Sequence, residues 1–127
     1  MMKLIKAGLV GVGLLLSGYA QADCLSAGSC VGVNITRMYV TPAGDTRVST
    51  SGQESNLPCN AGTAGYLLLS QGQKNYNATY SLLLSAFTTE SPVWIRTTTS
   101  ADTCRIVYVV HDKGYNMSTA EPGYQEQ

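Results

Sequence analysis

The chain of 127 residues carries eight Lys and Arg, eight Asp and Glu, one His and four Cys, and has no formal net charge. This balance, with no run of basic residues, excludes the clustered Lys/Arg footprint of a nucleic-acid-binding protein. The length holds one domain, and no apolar stretch reaches the roughly 18 residues that a membrane span needs.

Residues 1–22 read as a secretory signal peptide. Lys3 and Lys6 form a positive n-region, 7–16 (AGLVGVGLLL) an uncharged apolar h-region, and Ala20-Gln21-Ala22 a small-x-small cleavage site. Cleavage after Ala22 leaves about 105 residues with six basic against eight acidic side chains. Asp23 stands directly before Cys24, where a lipobox cysteine would follow a small residue. The expected location is therefore periplasmic or secreted.

Export sets the reading of Cys24, Cys30, Cys59 and Cys104. An even number in an exported chain points to two disulfides. Three pairings exist, and Cys24–Cys30 with Cys59–Cys104 is favoured. The first closes a short loop; the second ties distant segments and removes more unfolded-state entropy, roughly 3–4 kcal/mol. A metal site is not expected, since no C-x-x-C occurs and His111 is the sole imidazole.

Residues 31–40 (VGVNITRMYV) alternate in their first half, with Val31, Val33 and Ile35 on one side, and predict a half-buried strand. Pro42-Ala43-Gly44-Asp45 is a turn cluster, and 46–50 (TRVST) completes a hairpin. Residues 51–64 are rich in Ser, Gly, Asn and Pro and read as a loop carrying Cys59. Residues 65–70 (GYLLLS) predict a third, central strand. Residues 75–89 then change period. Tyr76, Tyr80, Leu83 and Phe87 fall on one helical face, Leu82, Leu84 and Ala86 widen it, and Asn75 or Asn77 can cap the start. Ser91-Pro92 ends the helix. Residues 93–99 (VWIRTTT) and 104–111 (CRIVYVVH) predict strands four and five.

The expected fold class is α+β, mostly β: a small five-stranded OB-like barrel with one helix between strands three and four. An open α+β sheet with a packed helix is the alternative. The domain then covers 23–111, and 112–127 form a polar tail expected to be mobile.

Little here points to catalysis. His111 stands at a predicted strand end, no G-x-S-x-G elbow occurs, and every mature carboxylate falls in a predicted loop, turn, terminus or tail. Without a phosphate loop, dinucleotide fingerprint or calcium loop, no cofactor is expected, and no enzyme activity either. Binding is better supported. Of eight tyrosines only Tyr19 lies in the signal, and tyrosine suits interfaces and sugar faces. Tyr66, Tyr76, Tyr80 and Tyr108 are assigned to the core. Tyr39, Trp94 and Arg96 are the candidate ligand-binding residues on the surface.

Three segments carry a resemblance. They are Gly32-Val33-Asn34-Ile35-Thr36, Tyr80-Ser81-Leu82-Leu83-Leu84-Ser85-Ala86 on the helix, and Pro92-Val93-Trp94-Ile95-Arg96 on the next strand. In this order they resemble the receptor-binding B subunits of subtilase-type bacterial toxins, and small uncharacterised exported bacterial proteins with the same helix–strand signature. The resemblance spans about half of the mature chain. It implies an OB-like barrel, a homo-oligomeric ring of five with the helices lining its centre, and glycan binding on the outer side of the strands. It carries over no individual sugar contact. The expected function is an exported, non-catalytic module that binds a glycan or an envelope protein. The alternative is a monomeric periplasmic structural or inhibitory protein.

Overall fold

The structure is a computed structural model and describes residues 22–111. The tail at 112–127 and all of the signal segment except Ala22 lie outside the described residues. Seven strands and one α-helix follow in order: β1 (Asp23–Leu25), β2 (Ser29–Val33), β3 (Ile35–Val40), β4 (Thr46–Thr50), β5 (Leu67–Leu69), α1 (Tyr76–Thr89), β6 (Val93–Thr97) and β7 (Ile106–Val110). A 3₁₀ turn at Glu54–Asn56 follows β4. The strands form two antiparallel sheets, β1-β2-β6-β7 and β3-β4-β5.

This corrects the expected closed barrel of five strands. The predicted first strand is cut in two at Asn34, so that β2 serves one sheet and β3 the other. Ahead of it, β1 adds a hairpin closed by Cys24–Cys30, whose Cα atoms face each other in register. Between the sheets, the only backbone bridge from β5 is an isolated parallel one, from Leu68 to Arg105, just ahead of β7, among the described residues.

The core lies between the sheets and under the helix. Period-two alternation places Val48 of β4, Leu67 and Leu69 of β5, and Val93 and Ile95 of β6 in it. Val33 and Ile35 join them, but Val31 does not belong to this cluster. The reason is a bulge between Cys30 and Val33, which breaks the expected alternation. Gly32 sits there with φ 64°, a conformation that glycine adopts at no steric cost.

The helix spans nearly the residues expected, but it buries a different seam. Thr79, Leu83 and Ala86 are buried, while Phe87 is 36% exposed and Tyr76 and Tyr80 only flank the core. Burying Leu83 contributes about 1.5–3 kcal/mol. Asn75 precedes the helix without a side-chain cap bond. Its amide instead donates to the Val107 carbonyl of β7 at 3.1 Å and accepts from Gln73 Nε2 at 2.7 Å. Glu90, at φ 55°, ends the helix in the left-handed conformation before Pro92. No helix among the described residues is long and apolar enough to cross a membrane.

Both disulfides pair as favoured, Cys24–Cys30 and Cys59–Cys104, and the described residues hold no free cysteine.

Candidate functional site

The three surface candidates do not come together. Trp94 and Arg96 belong to β6, and Tyr39 to β3 of the other sheet. Trp94 is 3% exposed, not a surface residue as expected. It points away from the core that Val93 and Ile95 enter, and its ring stacks on Tyr108 at 5.8 Å with 12° between planes. Register explains the pair: Trp94 faces Val110 and Arg96 faces Tyr108, so the two aromatics lie diagonally on one face of adjacent strands. Arg96 is half-buried and donates from Nη1 to the Ser29 hydroxyl at 3.3 Å.

Tyr39 is 38% exposed and anchors a different cluster. Strand β4 buries Thr46, Val48 and Thr50, which leaves Arg47 and Ser49 on the outer face of the three-stranded sheet. Opposite them on β3 stand Tyr39 and Arg37. Beside Arg47 on β5 stands Leu68. Tyr66, just before β5, completes the group. Its ring meets Tyr39 edge-on at 5.4 Å and 83°, an arrangement worth about 0.5–1.5 kcal/mol beyond area burial. Arg37 Nη1 donates to the Tyr66 hydroxyl at 3.0 Å.

The charges here tune one another. The hydrogen bond from Arg37 holds the Tyr66 phenol below its ordinary range, with the charges of Arg37 and Arg47 adding to the effect. The same bond raises the Arg37 guanidinium. Arg47 has no ion-pair partner among the described residues. The nearby Glu54 carboxylate is already engaged by the Thr50 backbone N–H at 2.6 Å and the Thr50 hydroxyl at 2.8 Å.

Arg47, Tyr66 and Leu68 form one side of a cleft of about 400 Å³; residues 60–64 and Thr103 form the other. This volume lies in the range of small-molecule sites. The loop wall is tied down at several points. Cys59 is bonded to Cys104, the Asn60 N–H donates to the Asp102 carbonyl at 2.8 Å, and the Cys104 N–H donates to the Asn60 carbonyl at 3.0 Å. The Asn60 side chain accepts from the Gly62 N–H at 2.9 Å, and the Tyr66 N–H donates to the Ala61 carbonyl at 2.9 Å. Gly65, at φ 71°, lets the chain turn into Tyr66; a Cβ there would come within 2.8 Å of the Glu54 carboxylate. The loop is thus a fixed wall of small and polar side chains beside an aromatic and cationic floor.

Sequence reasoning offered Tyr39 as a surface candidate, grouped it with Trp94 and Arg96, assigned Tyr66 to the core and passed over Arg37 and Arg47. The available signal was the charge of Arg37 two residues before Tyr39 and of the single Arg47 in TRVST; the register shift after Ile35, which turns Arg37 and Tyr39 outward, leaves no such mark. Among the described residues, no group of three or more His, Cys, Asp and Glu is placed to hold a metal ion. His111 stands half-buried just after β7. No protein-family model matches the chain, and no curated protein sequence matches it.

Proposed function

We propose that this chain is an exported, non-catalytic binding module that takes a glycan in the cleft beside Tyr39 and Tyr66. The observation that carries this reading is a cleft of about 400 Å³ lined by half-buried Tyr66, which packs edge-on against the exposed Tyr39, with a wall that a disulfide holds. Aromatic faces bind the C–H faces of sugars, and the Asn60, Thr63 and Thr103 side chains offer hydrogen bonds to hydroxyls. Two disulfides suit the periplasm or the extracellular space. The test is a broad glycan array probed with the exported, oxidised protein and with Tyr66→Ala. The expected result is a defined set of bound glycans, lost in the variant. Absence of binding to any glycan, with one envelope protein captured instead, would overturn the reading.

Self-association through α1 belongs to the same proposal. Leu82, Leu84 and Phe87 are 39%, 41% and 36% exposed on a single helix, and neighbouring copies of the chain would cover them.

A further inference from the structure

We propose that the ligand of this cleft carries an oxyanion, such as a sulfate ester, a phosphate or a carboxylate, held by Arg47 and Arg37 beside the Tyr66 hydroxyl. The inference rests on the reading of the cleft as the ligand site and adds the ligand's chemical class. Three observations carry it. No Asp or Glu is among the residues lining the cleft, so nothing anionic there opposes such a ligand. Arg47 lines it with no ion-pair partner among the described residues, so its five donors remain for a ligand. Arg37 spends one donor on the Tyr66 hydroxyl, and this bond fixes its planar fork next to the cleft floor. The lowered Tyr66 phenol reports the same local excess of positive charge.

The outer face of this sheet is otherwise hard to explain. Two arginines and two tyrosines share it in a chain whose formal net charge is zero. Surface arginines that serve only solubility usually meet a neighbouring carboxylate. Here the Glu54 carboxylate, beside Gly65, accepts from Thr50 instead. Guanidinium pairs bind planar or tetrahedral oxyanions with two parallel hydrogen bonds, which a neutral hydroxyl cannot accept. The rigid wall would then select the body of the ligand, while the arginines select its charge.

The experiment measures binding of the exported, oxidised protein to matched oligosaccharide pairs that differ only by a sulfate ester or a carboxylate. In parallel, inorganic sulfate is titrated against chloride at constant ionic strength and followed by NMR of the arginine side chains. The expected result is preference for the charged member by about tenfold or more, a fall in that preference on adding salt, and its loss in Arg47→Gln. Lys74→Ala, an exposed charge change outside the cleft, should keep it. Which member of the pairs wins separates sulfate from carboxylate. Equal binding of neutral and charged members would overturn this inference and leave the glycan reading standing. Perturbation of Arg47 by sulfate, with no glycan bound, would support the oxyanion site and overturn the glycan reading. No response to sulfate and no charge preference would overturn it as well.

Discussion

At the scale of single residues, the contact between Arg37 and Tyr66 makes a direct prediction. A guanidinium that donates to a phenol oxygen favours the phenolate, so Tyr66 should ionise below the ordinary phenol range. In a pH titration of ultraviolet phenolate absorbance, a component below that range should vanish in Tyr66→Phe and move to higher pH in Arg37→Ala. Unchanged titration in Arg37→Ala would mean that the bond does not form in solution. Asp23 makes a second prediction, with the sign of an acid. Its Oδ1 accepts from the Cys24 N–H at 2.8 Å and the Gln53 N–H at 2.7 Å, and the Gln53 bond is the larger cause of its lowered pKa. A carboxyl depressed in the folded state adds stability above its unfolded value of about 3.9, and that stability is lost as pH falls through the lower folded value. The difference in Tm between the native chain and Asp23→Ala should therefore be largest near neutral pH and shrink in strong acid. At Tyr39 the outward direction follows from a register shift between Ile35 and Arg37, which reverses the parity that inward Ile35 would otherwise set. Side-chain direction was not legible in the sequence for Tyr66 or Trp94 either. Tyr66 precedes its strand, and its exposure depends on a loop path set by a disulfide. Trp94 is buried on the face away from the core, which alternation alone reads as surface.

At the scale of elements, the two disulfides carry different loads. Cys59–Cys104 closes 45 residues of chain and Cys24–Cys30 only six. The chain-entropy relation assigns about 4 kcal/mol to the first and about 2 kcal/mol to the second. Denaturant unfolding of the paired serine variants should show that order. Only the Cys59→Ser, Cys104→Ser protein should also lose ligand affinity under native conditions, because that bond fixes the wall of the cleft. Equal stability losses would argue that strain or residual structure outweighs loop closure. The helix is a further case. Its extent was readable because proline and a change of period mark its ends. Its buried seam was not, because Leu and Ala surround it and only the positions of β3 and β7 decide which face is covered. The small side chains of Thr79 and Ala86 on either side of Leu83 let the helix sit close along this seam, which leaves Phe87 at its edge. Leu83→Ala should cost about 2–5 kcal/mol, and Phe87→Ala much less, which equilibrium unfolding of the two variants would check.

At the scale of the whole molecule, the chain divides its β-structure where the sequence suggested one continuous barrel. Residues 31–40 look like one strand because most positions, Gly32 and Asn34 apart, are β-compatible. The register shifts on either side of Asn34, in β2 and in β3, are backbone events that leave little trace in composition. Two sheets with one helix leave α1 covered on a single side. At ~100° per residue, Leu82 and Leu84 lie on opposite flanks of Leu83, and Phe87 sits one turn on from Leu84. The exposed apolar groups therefore form two different patches, Leu84 with Phe87 and Leu82 alone. A two-fold dimer would use one patch against itself. Two unlike patches suit a head-to-tail contact, which closes into a ring when each copy rotates by a fixed fraction of a turn. This geometry supports the proposed assembly independently of any resemblance, and it predicts the outcome of native mass spectrometry on the exported protein without reductant. The expected spectrum shows several copies of the chain from Asp23 to Gln127, each lighter by four hydrogens for two disulfides. Leu82→Ser alone, or Leu84→Ser with Phe87→Ser, should each reduce it to single copies with unchanged circular dichroism, because a head-to-tail contact fails when either patch is removed. If only the Leu84 and Phe87 variant dissociates, the contact is two-fold and no ring forms. If the native chain is already a single copy, the exposed leucines serve another partner and the assembly proposal falls.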